Sequence, residues 1–287
     1  MKLGIILRIL ALLGLTPTLC RGTLFTEDGT IGPGYDGPVS LGSFATVTVT
    51  GGNLYDVRIQ DYGTLDFMGG TLHGGRHGIE VVNRGTMNLL GSSLTGIRLR
   101  DSATFNIEGG LFQGQMEADG SSIININDGQ VQDGDLEAME YTIINIYGGS
   151  TTWSSAHLRN YSTLNVYGGL WEGNTGVSDY STLNIYGGVW DGGLSLNEFA
   201  TVNIYGGDIA FGWLGIDFGG SATTNVCYSS IIYDTRLGIV SGYHLLDGSE
   251  FMLNQFTWAE INQMNFIPEP ATLLMLALGA ILLRTRK

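Results

Sequence analysis

Residues 180–188 read Y-S-T-L-N-I-Y-G-G, residues 161–169 read Y-S-T-L-N-V-Y-G-G, and residues 199–207 read F-A-T-V-N-I-Y-G-G. Weaker copies run back to about residue 44. The first glycine of each Gly-Gly pair falls at 51, 69, 91, 109, 128 (Asp here), 148, 168, 187 and 206, which makes nine copies with a period near 19. Thr223-Thr224-Asn225-Val226-Cys227 is a worn tenth. Periods of this size belong to solenoids, in which each repeat stacks only on its neighbours.

Aligned columns say which way residues face. The residue before the central Asn is Val47, Leu65, Met87, Phe105, Ile124, Ile144, Leu164, Leu183 or Val202, and the residue after it is Val49, Phe67, Leu89, Ile107, Ile126, Ile146, Val166, Ile185 or Ile204. Apolar residues two apart with Thr, Asn and Tyr between them mark a strand with one buried face. A third apolar column lies two residues past the glycine pair: Leu54, Leu72, Leu94, Phe112, Val131, Trp171, Trp190 and Ile209. Its sixth copy is out of register, and Trp153 is expected to fill that slot after a short insertion. A fourth column precedes the phrase: Leu41, Ile59, Val81, Leu99, Ala118, Ala138, Leu158, Val177 and Leu196. Glycine-rich turns separate the segments, supplying positive φ or room where backbones crowd.

Three short inward-facing strands per period resemble the parallel β-helix. The expected fold is all-β, a single-stranded right-handed solenoid of nine or ten coils over 41–227, each about 19 residues. Coils ~4.8 Å apart give a rod of about 45 Å. Residues 23–40 lack the phrase and read as a lead-in and N-terminal cap. Residues 228–267 lose the glycine pairs and read as irregular strands capping the last coil, because an open solenoid end recruits other chains.

Composition narrows the setting. Glycine is abundant at 45 residues, but with only five prolines and 43% hydrophobic residues the chain is neither collagen-like nor disordered. Outside residues 1–20 and 268–287 there are 8 of the 13 basic and 26 of the 27 acidic residues, and no lysine. Such a body repels nucleic acid and anionic membranes. Of the two cysteines, Cys20 lies at the end of a leader-like segment, so Cys227 would stand alone and stacking rather than a disulfide must hold the fold.

The ends carry addresses. In residues 1–22, Lys2 and Arg8 precede the apolar run Ile9–Leu15 and a short polar stretch, the layout of a secretory signal peptide. Leu19 is too large for the processing site of a lipoprotein with Cys20 acylated. The C-terminus reads Pro268-Glu269-Pro270, then apolar Ala271–Leu283, then Arg284-Thr285-Arg286-Lys287. Thirteen helical residues reach about 20 Å against a hydrocarbon core of about 30 Å, a poor permanent span. The basic end would stay in the cytoplasm.

These last 20 residues resemble the PEP-CTERM sorting signal of Gram-negative, exopolysaccharide-producing bacteria. The resemblance implies a C-terminal hydrophobic helix over 271–283 that inserts transiently in the inner membrane. It implies an exosortase-type membrane protease as partner, cutting near Pro268, Glu269 and Pro270, with Arg284, Arg286 and Lys287 holding the tail. The body would be released from the cell or attached to its surface. An ordinary short C-terminal anchor is the alternative.

Chemistry-bearing residues are few. The Asn column (Asn88, Asn106, Asn125, Asn145, Asn165, Asn184, Asn203) is expected to hydrogen-bond along the stack. Tyr147, Tyr167, Tyr186 and Tyr205 form an outward column that either stabilises its face or offers an aromatic platform to polysaccharide. Acidic residues gather at 117–140, and Asp128, Asp133 and Asp135 are the candidate Ca²⁺ ligands, without the spacing of a known calcium loop. His73 and His77 lie four apart across glycines, which argues for a turn rather than a metal pair. Many parallel β-helices are polysaccharide lyases or glycoside hydrolases, and Arg98 and Arg100 would be the residues to examine for such activity, although the aspartate pairs of the pectin-cleaving hydrolases are missing. The expected function is therefore an exported structural or adhesive protein associating with exopolysaccharide or cell-envelope material, with a carbohydrate-active enzyme as the alternative.

Overall fold

Alternation of apolar and polar residues becomes strand after strand in the computed structural model, which describes residues 23–73, 78–210, 216–234, 239–244, 248, 250–253 and 264–268. The expected signal peptide over 1–22 and the tail beyond Pro268, including the expected helix over 271–283, lie outside the described residues, as does His77. No helix among the described residues is long and apolar enough to cross a membrane. All the regular structure among the described residues is β, and the body is a parallel β-solenoid of about ten coils of about 19 residues.

Each coil contributes three strand segments, and each segment pairs in parallel with its equivalents one period away. The phrase builds the first face. There Thr163–Val166 sits between Ile143–Ile146 and Thr182–Ile185, and Thr182–Ile185 pairs in turn with Thr201–Ile204. The segment after the glycine pair builds the second face, with Trp171 opposite Trp190 and Trp190 opposite Ile209. The segment before the phrase builds the third, through Leu136, Ala156 and Thr175 to Leu194. Residues 23–41 also form a coil: Thr23–Phe25 pairs with Val39–Leu41, and Gly29–Ile31 with Val47–Val49.

The interior is one continuous column of stacked apolar side chains. All four columns read from the sequence are buried in it, with the Asn-flanking pairs 0–2% exposed from Val47 to Ile204. Each such Val, Leu or Ile contributes roughly 1.5–3 kcal/mol of burial. Trp171 and Trp190 stack inside at 5.0 Å. Trp153 does not fill the slot assigned to it. Thr151 holds that position in register between Val131 and Trp171, buried, with its hydroxyl donating to the Leu170 carbonyl at 3.0 Å. There is no insertion before it. The small Thr leaves interior space that Trp153 enters two residues later, 6.3 Å from Phe112, and the register shifts only between Thr152 and Ser155.

The Asn column does form a ladder. Each side-chain amide donates to the oxygen of the coil before it, from Asn265 through Asn225, Asn203, Asn184, Asn165, Asn145, Asn125, Asn106 and Asn88 to the carboxylate of Asp66, at 2.6–3.1 Å. The donor and acceptor of an amide thus satisfy the next coil in both directions, which locks the register of the face.

At the C-terminal end the pairing changes sense. Thr223–Asp234 turns back antiparallel on Ile239–His244, which pairs antiparallel with Glu250–Leu253. Met264–Pro268 then returns parallel to Thr224–Tyr228 and adds Asn265 to the ladder. The chain therefore reaches Pro268 as a strand laid on the last coil.

Candidate polar and aromatic face

The first face is a repeated row of four outward groups. Over 180–186 exposure alternates residue by residue, so Tyr180, Thr182, Asn184 and Tyr186 point outward while Ser181, Leu183 and Ile185 point in. The coils at 141–147, 161–167 and 199–205 alternate the same way. Stacked, they give a ring column, a hydroxyl column broken by Ile143, the amide ladder, and a phenol column. Six residues of extended chain set the two aromatic columns roughly 20 Å apart at most.

The phenol column is the one expected. Tyr147–Tyr167, Tyr167–Tyr186 and Tyr186–Tyr205 stack at 4.9, 4.8 and 5.0 Å, with ring planes within 5° of parallel. The geometry differs from a platform in one respect. Stacked rings turn their faces to each other, so what they present outward is edges and hydroxyls.

The other ring column went unread in the sequence. Tyr141–Tyr161, Tyr161–Tyr180 and Tyr180–Phe199 stack at 5.3, 5.4 and 5.1 Å. Its signal was the first letter of the phrase, which stays aromatic in the same four coils as the last Tyr. Each ring follows a corner residue with positive φ, at Glu140, Asn160, Asp179 and Glu198. The Asp179 carboxylate accepts the Asn160 backbone N–H of the coil before it at 2.7 Å, which ties these two corners together.

Burial pushes the Tyr167 phenol above its ordinary 10.0, and the charges of Tyr186 and Tyr147 push it further. Tyr205 is raised by burial, then by Cys227 and Tyr186. The folded state therefore holds these protons more tightly than the unfolded chain. The stability these two phenols contribute should be full below pH 10 and fall as pH rises through the titration of Tyr167 and Tyr205. Melting temperatures across pH 8–11 with absorbance at 295 nm will check this. A melting temperature unchanged while the phenols ionise would contradict it.

The acidic run at 117–140 is scattered by the coil. Glu117, Asp119 and Glu137 lie on the third face among arginines: Arg98 is 3.6 Å from Glu117 and 3.8 Å from Asp119, Arg100 is 3.2 Å from Glu80, and Arg159 is 4.0 Å from Glu137. Arg98 and Arg100 are thus engaged in ion pairs. Asp119 is nonetheless raised above the usual carboxylate range, because burial outweighs the two guanidiniums. Asp128 bonds the Gly129 N–H at 2.7 Å, Asp135 accepts from Ser155 at 2.7 Å, and Asp133 occupies a left-handed corner. Among the described residues no three metal-ligating side chains converge. His73 ends a strand on the second face, opposite Tyr55 and Thr95, and His157 lies on the third face opposite Glu137 and Gly176. Cys227 is a buried free thiol.

Compared with protein families, curated proteins and solved structures, the chain matches none of them.

Proposed function

We propose that the protein is an exported, non-enzymatic structural or adhesive rod of a Gram-negative cell surface or extracellular matrix, associating with exopolysaccharide through its first face. The observation that carries this reading is the face's translational repeat. Phenol, amide and ring recur over four coils, the rings 4.8–5.4 Å apart, with a threonine hydroxyl in three of the four, and a periodic surface suits a ligand that is itself periodic. Hydrogen bonding from hydroxyls and amides, rather than stacking on ring faces, would supply the contact. The solenoid winds right-handed. Export would run through the N-terminal signal, with Ala271–Leu283 a transient inner-membrane helix and an exosortase-type protease acting at Pro268-Glu269-Pro270.

Retention of the purified body on exopolysaccharide tests the reading. Binding should saturate without product formation, and Tyr167→Ala with Tyr186→Ala should weaken it about tenfold, the loss of some 1.4 kcal/mol. Release of oligosaccharide products would instead favour a lyase or hydrolase. Absence of both binding and turnover would leave a passive rod.

A further inference from the structure

The outer ring column has an interruption. Backbone hydrogen bonds place Tyr62, Arg84, Ser102, Ser121 and Tyr141 in successive coils of one column: Arg84 N–H bonds Asp61, Ser102 bonds Asn83, Ser121 bonds Asp101 and Tyr141 bonds Gly120. Rings or long side chains fill the column on both sides, whereas Ser102 and Ser121 leave it empty. Three coil steps separate Arg84 from Tyr141, roughly 14 Å. We propose that this notch is a saccharide subsite that takes a pyranose unit carrying no carboxylate. The proposal deepens the exopolysaccharide reading and rests on it.

Four observations carry it. A surface cavity of about 360 Å³ opens at the Arg84 end, lined by Asp61, Tyr62, Asn83, Arg84, Asp101 and Ser102. It is a shallow depression, open to solvent over most of its extent. At the far end Tyr141 has a ring neighbour on one side, Tyr161, and Ser121 on the other. No aromatic ring among the described residues covers that second side. The apolar face of a sugar ring stacks on such a surface.

The polar groups are also held in place. Asn83 donates its backbone N–H to Asp101 and its side-chain amide to Asp61, both at 3.1 Å. The Arg84 guanidinium lies 5.4 Å from the Tyr62 ring centre and donates to the Tyr62 hydroxyl. Carboxylate acceptors beside guanidinium, amide and hydroxyl donors match the vicinal hydroxyls of a sugar. The charge balance sets the selectivity. Two carboxylates against one guanidinium, on a body with 26 acidic and 8 basic residues, disfavour uronates and phosphorylated sugars.

Titration calorimetry on the mature protein tests this, using neutral hexasaccharides of glucose, mannose and N-acetylglucosamine and an oligouronate of equal length. At least one neutral hexasaccharide should bind, and the oligouronate should bind at least tenfold more weakly. Ser102→Tyr with Ser121→Tyr continues the ring column and fills the notch, and should weaken binding at least tenfold while the melting temperature holds or rises. Tyr141→Ala should weaken it as well. Tyr55→Ala, an exposed ring on the second face, should leave it unchanged. Unaltered binding in the filled variant, or preference for the oligouronate, would overturn the subsite. Loss of hexasaccharide binding only in the Tyr167 and Tyr186 variant would overturn it too, while sparing the wider surface reading. So would failure of every hexasaccharide with exopolysaccharide retention intact. Failure of exopolysaccharide retention, with hexasaccharides still bound at the notch, would count against the wider reading alone.

Discussion

Ile185→Asp is expected to unfold several coils at once. Ile185 is 1% exposed and lies between Val166 and Ile204 in the inward column of the first face. Losing it removes about 1.5–3 kcal/mol of burial. The larger penalty is a carboxylate in an apolar column without a partner, several kcal/mol even after relaxation. A solenoid communicates between neighbours, so coils on both sides lose their contact surface as well. A fall in melting temperature of roughly 10–20 °C, or failure to recover soluble protein, is expected, taking about 2–4 °C per kcal/mol for a domain of this size. Ile185→Val, which keeps the column apolar, should cost only about 0.5–1.5 kcal/mol. A thermal melt of the Asp variant that overlays the wild type would refute the register of the inward column.

Gly169→Val should rank second. Gly169 has φ +83°, and a Cβ there would lie 2.7 Å from the Gly149 carbonyl oxygen of the coil below. That oxygen accepts the Leu170 N–H at 3.0 Å, so displacing it breaks a bond between coils. Gly149 stands in the same relation to Gly129, and Gly188 to Gly169, which is why the second glycine of the pair recurs. A β-branched residue at positive φ costs roughly 1–3 kcal/mol in strain before the clash is counted. The expected result is a drop of about 5–15 °C by circular dichroism. Gly109→Ala is the matched control. A Cβ there meets nothing within 4 Å and its φ is not positive, so its melt should stay close to wild type.

The core was legible because its signal is one column repeated. Leu183 and Ile185 could be assigned inward from their position on either side of Asn184, with eight other copies agreeing. Where a copy deviates, letters alone mislead. Trp153 looked like the missing core residue, but a buried Thr can satisfy its hydroxyl on a neighbouring carbonyl, so Thr151 keeps the register and Trp153 packs beside it. Coil geometry also redistributes what is adjacent in sequence. The acidic residues at 117–140 read as a cluster, yet successive corners send Glu117, Asp128 and Glu140 to different sides of the rod. The pairs that matter, such as Arg98 with Glu117, are 19 apart in the chain. The same holds for the ring column of Tyr141, Tyr161, Tyr180 and Phe199. Its members sit at the turn just before the strand, where exposure is expected anyway, and only the parallel register reveals that they touch.

Export and sorting through the proposed tail would leave their mark on both ends of the chain, and the intact mass of the mature protein recovered from cells and from medium reads both at once. The expected result is a chain lacking the first 20 or so residues and ending near Pro268-Glu269-Pro270, with or without a covalent attachment. A mature chain that still ends in Lys287 in both fractions would contradict it.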